Sequence, residues 1–262
     1  MKDFKELRKK LIEETKKKIK ASVKKDNLII QAVNSIDEAD RAANTLAKRL
    51  REWYSFYLPE FSNSIASHQK FAELILKKSK KELLAEIKLS PEKSMGADLE
   101  KEDLDAMFEL AKALGGLYNY KEKELKYLEA AAKKHCPNVT ALAGHLIAAK
   151  LISLAGSLEK LSAMPSSTIQ LLGAEKALFR HLTTGAKSPK YGILHEHPLI
   201  LNAKKSEHGR IARLLADKIA IAAKVDFFKG DFVGDRLKKE IEKRIKGDIE
   251  KNSRGNSKGR AK

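Results

Sequence analysis

Residues 26–60 read DNLIIQAVNSIDEADRAANTLAKRLREWYSFYLPE. Ile29, Ile36, Ala43 and Leu50 recur every seven positions, interleaved with Ala32, Ala39, Leu46 and Trp53. This is an a/d heptad seam, the pattern of a helix that lies along another helix. Its alanines allow close approach, and Pro59 ends it. A second helical stretch over about 65–88 carries Phe71, Leu74, Ile75, Leu83 and Ile87, and Ser90-Pro91 and Gly96 mark a turn. A third, over about 98–135, carries Leu104, Met107, Leu110, Leu114, Leu117, Leu125 and Leu128 before Pro137 ends it. Periodic helices this long do not fit one compact globule. An antiparallel coiled-coil hairpin over 26–139 accounts for them.

Charge sorts the rest of the chain. The 262 residues carry a formal net charge of +18, with 42% apolar and 34% charged residues. Residues 1–25 hold 11 Lys/Arg against 4 Asp/Glu, residues 26–139 hold 18 against 19, and residues 140–262 hold 24 against 12. The basic excess sits at the two ends, where it favours a polyanion through counterion release. The near-neutral middle suits protein–protein contact. Residues 1–25 read as a basic helical arm. Cys136 is the single cysteine, so no internal disulfide forms, which fits a reducing compartment. No apolar run reaches the roughly 18 residues of a membrane helix, and the N-terminus lacks the apolar core of a secretory signal.

After Pro137 the pattern changes to that of a separate helical globular module over 140–248. NVTALAGHLIAAKLISLAGSLEKLSAM is apolar nearly all round and predicts a buried helix, with Asn138 or Thr140 as its cap. A short apolar segment and a second helix follow. PKYGILHEHPLIL reads as extended or irregular. SEHGRIARLLADKIAIAAKVDFF reads as an amphipathic helix with Arg210 and Arg213 on its polar side, and a last helix spans about 235–246. The end, 249–262, reads as a disordered basic tail. The fold class is all-α.

Chemistry concentrates in GAEKALFRHLTTGAKSPKYG, residues 173–192. It lacks the second glycine and the terminal G-K-[ST] of a phosphate-binding loop, and no strand precedes it. His195 and His197 form an H-x-H pair without the further ligands a zinc site needs, and Cys136 beside His135 has no oxyanion motif. No catalytic residue, metal site or cofactor is expected. A glycine before a helix leaves backbone N–H groups for a phosphate. Lys176 and Arg180 share one helix face, Lys187 and Lys190 flank the next turn, and Tyr191, His195 and His197 suit stacking on unpaired bases. A capped, solvated helix with incidental charge is the plainer reading of the same residues, and the two stand side by side.

The stretch STIQLLGAEKALFRHLTTGAKSPKYGILHEHPLI, followed by GRIARLLADKIAIAAKVDFF, resembles the core of the Nop domain family, and the upstream REWY…PE is similar to the start of that family's coiled coil. The likeness covers about residues 26–250. It implies a non-enzymatic scaffold of a box C/D guide ribonucleoprotein that directs 2′-O-methylation. Its partners would be kink-turn RNA, a small kink-turn-binding protein of ribosomal type, and a second copy. Self-association would run through Ile29, Ile36, Ala43, Leu46, Leu50 and Trp53. Gly173, Ala174, Glu175, Lys176 and Arg180 would face RNA, with Lys187, Lys190, Tyr191, the loop His195-Glu196-His197, and Arg210 and Arg213 nearby. The resemblance favours an archaeal cytoplasmic protein, or a nucleolar or nuclear one in a eukaryote. Only 25 residues precede the seam, where the family usually carries a fibrillarin-binding domain, so fibrillarin recruitment by this chain is not expected. The alternatives are a spliceosome-like scaffold without a methylation role and a histidine-based metal hydrolase.

Overall fold

The computed structural model describes residues 2–258, which form α-helices and two short 3-10 turns and no strand. They divide into two compact units, one of residues 34–127 and one of residues 1–33 with 128–262. The division falls at 33/34 and 127/128, inside the stretch 26–139 expected as a coiled coil.

Helix α1 (Lys2–Ser22) and the first residues of α2 (Lys25–Tyr54) belong to the second unit, and the rest of α2 belongs to the first. Between residues 34 and 127, α2 is followed by α3 (Pro59–Ser64), α4 (His68–Lys77), α5 (Lys80–Glu86) and the start of α6 (Lys101–His135). Ala43, Ala47 and Leu50 pack in one core with Met107, Ala111 and Leu114 of α6. Asp40 meets Lys121 at 2.6 Å, so the helices run antiparallel. The second expected helix is two, broken before Lys80 where Ser79 and Glu82 form a capping box. The seam thus closes within one chain: Ile36, Ala43 and Leu50 are buried, as is Ile29 in the other unit, while Leu46 and Trp53 are half-buried. The four buried side chains are therefore not available to a second copy as the sequence suggested.

The REWY stretch has a local structural explanation. The Arg51 guanidinium donates to His68 Nδ1 at 2.8 Å and to the carbonyls of Ser62 and Ile65, both at 2.5 Å, and stacks over Phe71 at 4.6 Å. One side chain thereby closes the turn from α2 through α3 into α4. Tyr54 fills the core behind it, against Phe61 and Phe71.

In the globular unit the apolar run after Pro137 is three helices rather than one: α7 (Pro137–Ala143), α8 (His145–Ala155) and α9 (Leu158–Ala163). Gly144 at φ +79° turns the chain by 116° between α7 and α8, and Gly156 at φ +87° ends α8. Both conformations favour glycine. Bending lets an all-round apolar sequence wrap a core. No single described helix is long and apolar enough to cross a membrane.

The core centres on a later helix. The chain passes through α10 (Ser166–Leu171), α11 (Glu175–Thr184) and α12 (Pro198–Leu201) into α13 (His208–Phe227), and ends in α14 (Gly234–Lys258). Ile211, Ala212, Leu215, Ala216, Ile219, Ala222 and Ala223 of α13 are all buried, and α7, α9, α10 and α14 pack on it. Neither expected cap starts α7: Cys136 is its N-cap, and Asn138 has another task. The buried Asp226 carboxylate accepts from Asn138 N at 3.0 Å, Asn138 Nδ2 at 2.8 Å and Val139 N at 2.9 Å. Asn138 Oδ1 in turn accepts from Val233 N at 2.7 Å, so one polar knot ties α7, α13 and the turn into α14. Helix α14 continues to Lys258, through most of the segment expected as a disordered tail, and residues 259–262 lie outside the described residues.

Candidate nucleic-acid interface

Two loops cross beside α11. Gly192 N donates to the Gln170 carbonyl at 2.8 Å and Ile193 N to the Leu172 carbonyl at 2.7 Å. A Cβ on Gly192 would stand 1.9 Å from the Leu172 oxygen, so the crossing excludes any side chain there. Gly173, at φ +86°, turns the chain out of it toward α11. The sequence suggested that Gly173 leaves a free backbone N–H for phosphate. Instead the Glu175 carboxylate accepts from Gly173 N at 2.7 Å and occupies that position itself.

Helix α11 buries no residue. Lys176 and Arg180 are exposed, and so are Phe179 (68%) and Leu182 (73%). Gly185 at φ +67° ends the helix, and Lys187 is exposed in the loop beyond. Phe179 and Leu182 lie three apart on one helix face, a spacing that also serves a core stripe. Here the pair faces out, and nothing local distinguishes the two outcomes.

The loop histidines have different tasks. His197 is buried; its Nε2 donates to the Leu142 carbonyl at 3.0 Å while its Nδ1 accepts from Leu199 N at 3.2 Å. Burial, chiefly, keeps it below the ordinary imidazole range, against the bond to Leu142 that pulls it up. Both nitrogens are committed, so His197 neither stacks on a base nor ligates a metal. This removes the H-x-H pair on which the hydrolase alternative rested. His195 is exposed and stacked on Tyr191, with ring centroids 5.2 Å apart and planes 15° apart. Tyr191 also lies 3.4 Å by its hydroxyl from His208 Nδ1, and His208 Nε2 is 3.1 Å from the Ala203 carbonyl. Glu196 is exposed but pairs with Lys150 at 3.0 Å.

The structure brings Lys190, Arg210 and Arg213 around one groove of about 650 Å³. Gln170 and the hydroxyls of Ser167, Ser188 and Ser206 also line it, and no carboxylate does. Arg210 pairs with Glu207 at 3.2 Å at its edge. Gln170 Nε2 donates to the Lys190 carbonyl at 2.5 Å and holds that wall. Three cations with hydroxyl donors are the chemistry of a phosphate-backbone contact. Lys176, Arg180, Lys187 and the Tyr191–His195 stack lie outside this lining. The serines escaped the sequence reading because they are scattered over some forty positions without spacing, and only the fold gathers them.

A family profile described as "Nop: snoRNA binding domain, fibrillarin" matches residues 35–247. An uncharacterized NOP5 family protein of Methanocaldococcus jannaschii is 42% identical over 258 residues, covering 91% of this chain and 62% of the relative. Nucleolar protein 58 of Sclerotinia sclerotiorum is 39% identical over 235 residues, covering 81% of this chain and 41% of the relative. The chain thus spans under two thirds of the length of either. A solved structure titled as a fibrillarin/Nop5p complex matches 93% of this chain and 78% of that one, at 25% identity and a TM-score of 0.57.

Proposed function

This chain belongs to the Nop family, and from that membership we propose that it is a non-enzymatic, RNA-binding scaffold of a box C/D guide ribonucleoprotein. It docks on kink-turn RNA already folded by its kink-turn-binding protein. The observation that carries this reading is the carboxylate-free groove of Lys190, Arg210 and Arg213 beside an α11 that buries nothing. The groove suits phosphates. The outward Phe179 and Leu182, flanked by Lys176 and Arg180, suit a surface that is part protein and part RNA. A site for backbone phosphates alone needs no exposed phenylalanine.

The test is a gel shift with a box C/D kink-turn RNA, with and without the kink-turn protein. The intact chain supershifts the RNA–protein complex and binds bare RNA weakly. No supershift overturns the reading. Self-association belongs to the same proposal, but through surfaces other than the buried seam; light scattering of the intact chain at micromolar concentration tests it, and a monomer counts against it. Fibrillarin is named both in the family description and in the solved complex. Co-elution with fibrillarin would extend the partner set to the methyltransferase, against the expectation drawn from the short segment before the seam.

A further inference from the structure

Helix α13 ends in a cluster of phenylalanines that the groove at its other end does not use. Phe228 is 75% exposed and Phe232 55%, and Phe227 beside them is 37% exposed. The rings of Phe227 and Phe228 sit edge to face, 5.1 Å apart. Exposing one phenylalanine is ordinary, but three within six residues on the tight turn into α14 is not. The turn is held firmly: Gly230 N bonds the Val225 carbonyl at 2.9 Å, and Asp226 anchors its start in the Asn138 knot. Lys229 takes φ +54°, a left-handed conformation that a non-glycine residue adopts at a cost.

Lysines interleave with these rings along the chain, Lys224 before Phe227 and Lys229 between Phe228 and Phe232. A cleft of about 580 Å³ adjoins Phe227 and is lined by Lys24, Lys134 and Lys229 together with Asp26, Glu159 and Asp226. Its three carboxylates are already engaged: Asp26 by His135 at 2.5 Å, Glu159 by Lys24 at 3.5 Å, and Asp226 by Asn138 and Val139. Lys134 and Lys229 are exposed and form no ion pair among the described residues, and neither does the exposed Lys224 one turn before Phe228. Aromatic faces interleaved with uncommitted lysines are what a single-stranded nucleic acid needs, stacking for the bases and charge for the backbone. An apolar protein partner would leave those lysines desolvated and unpaired.

We propose that the α13–α14 turn is a second RNA site, a stacking platform of Phe228 and Phe232 edged by Lys134, Lys224 and Lys229, for unpaired RNA. It is distinct from the basic groove. The 15 residues from Arg213 to Phe228 along α13 put the two about 22 Å apart at ~1.5 Å per residue. One rigid helix therefore holds a structured-RNA groove at one end and an unpaired-strand platform at the other.

The test measures fluorescence anisotropy of a short labelled oligouridine with the full chain, Phe228→Ala/Phe232→Ala, and Phe228→Trp/Phe232→Trp. An abasic ribose-phosphate strand of equal length is the control. The alanine variant weakens oligouridine binding by about tenfold or more, the tryptophan variant restores it, and the abasic strand binds all three proteins equally. The alanine variant still supershifts the kink-turn RNA–protein complex, which separates this site from the groove. Unchanged oligouridine affinity overturns the platform, as does an abasic strand that binds as well as oligouridine. A loss on both RNAs overturns its independence. Altered self-association with RNA binding intact assigns the patch to protein docking instead.

Discussion

Helices α11 and α13 both carry a pair of basic residues on the polar side, Lys176 and Arg180 on one, Arg210 and Arg213 on the other. By pattern alone both are amphipathic. In the fold they are opposites: α11 buries none of its ten residues, while α13 buries eight of its twenty. The difference shows that an apolar stripe states only that a face wants cover, not whether the chain itself supplies it. On α13 the cover is α7, α9, α10 and α14. On α11 no described element covers Phe179 and Leu182.

Stability breaks this contrast most sharply. Leu215→Ala, in the fully buried face of α13, should cost about 2–5 kcal/mol in denaturant unfolding, while Phe179→Ala or Leu182→Ala on α11 should stay within ~0.5 kcal/mol. A large loss from either α11 variant would mean that its face is covered after all. Next in size is the knot at the far end of α13. Asp226→Ala leaves the buried N–H groups of Asn138 and Val139 without an acceptor and should cost about 1–3 kcal/mol or more by the same measurement.

Binding then inverts the ranking. Lys176→Ala/Arg180→Ala should leave the melting temperature nearly unchanged and weaken the kink-turn supershift, with a salt dependence shallower by about 0.7–0.9 for each phosphate contact removed. Arg210→Ala/Arg213→Ala should do the same although those side chains rise from a core helix. If only one pair acts, the contrast sharpens to a single binding element.

The smallest effect concerns pH. His197 folds neutral, and its pKa is lowered in the native state, mainly by burial. The unfolded chain therefore takes up the proton first as pH falls below about 6.5. Stability from this residue is present above that pH and declines below it, toward the lower native value. His197→Gln, which keeps a donor for the Leu142 carbonyl, should flatten the melting-temperature slope on the acid side. An unchanged slope would show that other groups set it.

Legibility followed the range of the interactions. The seam from Ile29 to Trp53, the stop at Pro59 and the basic ends are local, so they could be read directly. Arg51 shows the limit. REWY marked the family, but its clamp on Ser62, Ile65 and His68 needs carbonyls brought in by a turn that no spacing announces. His195 and His197 looked alike two residues apart, and only the Leu142 carbonyl, 55 residues upstream, tells the structural one from the exposed one. Likewise the sequence does not say that the Glu175 carboxylate, rather than a phosphate, meets Gly173 N.

By itself the sequence determined an all-helical chain, a heptad-patterned pair of long helices, a basic globular half and membership of the Nop family, because periodicity, proline stops, charge and motif are properties of neighbours in the chain. Tertiary structure alone decided that the seam closes inside one chain and that three serines join Lys190, Arg210 and Arg213 in one groove. It also left three phenylalanines in solvent at the far end of the helix that carries the arginines. Those outcomes depend on which distant elements arrive to cover a face, and burial is a property of the packed whole.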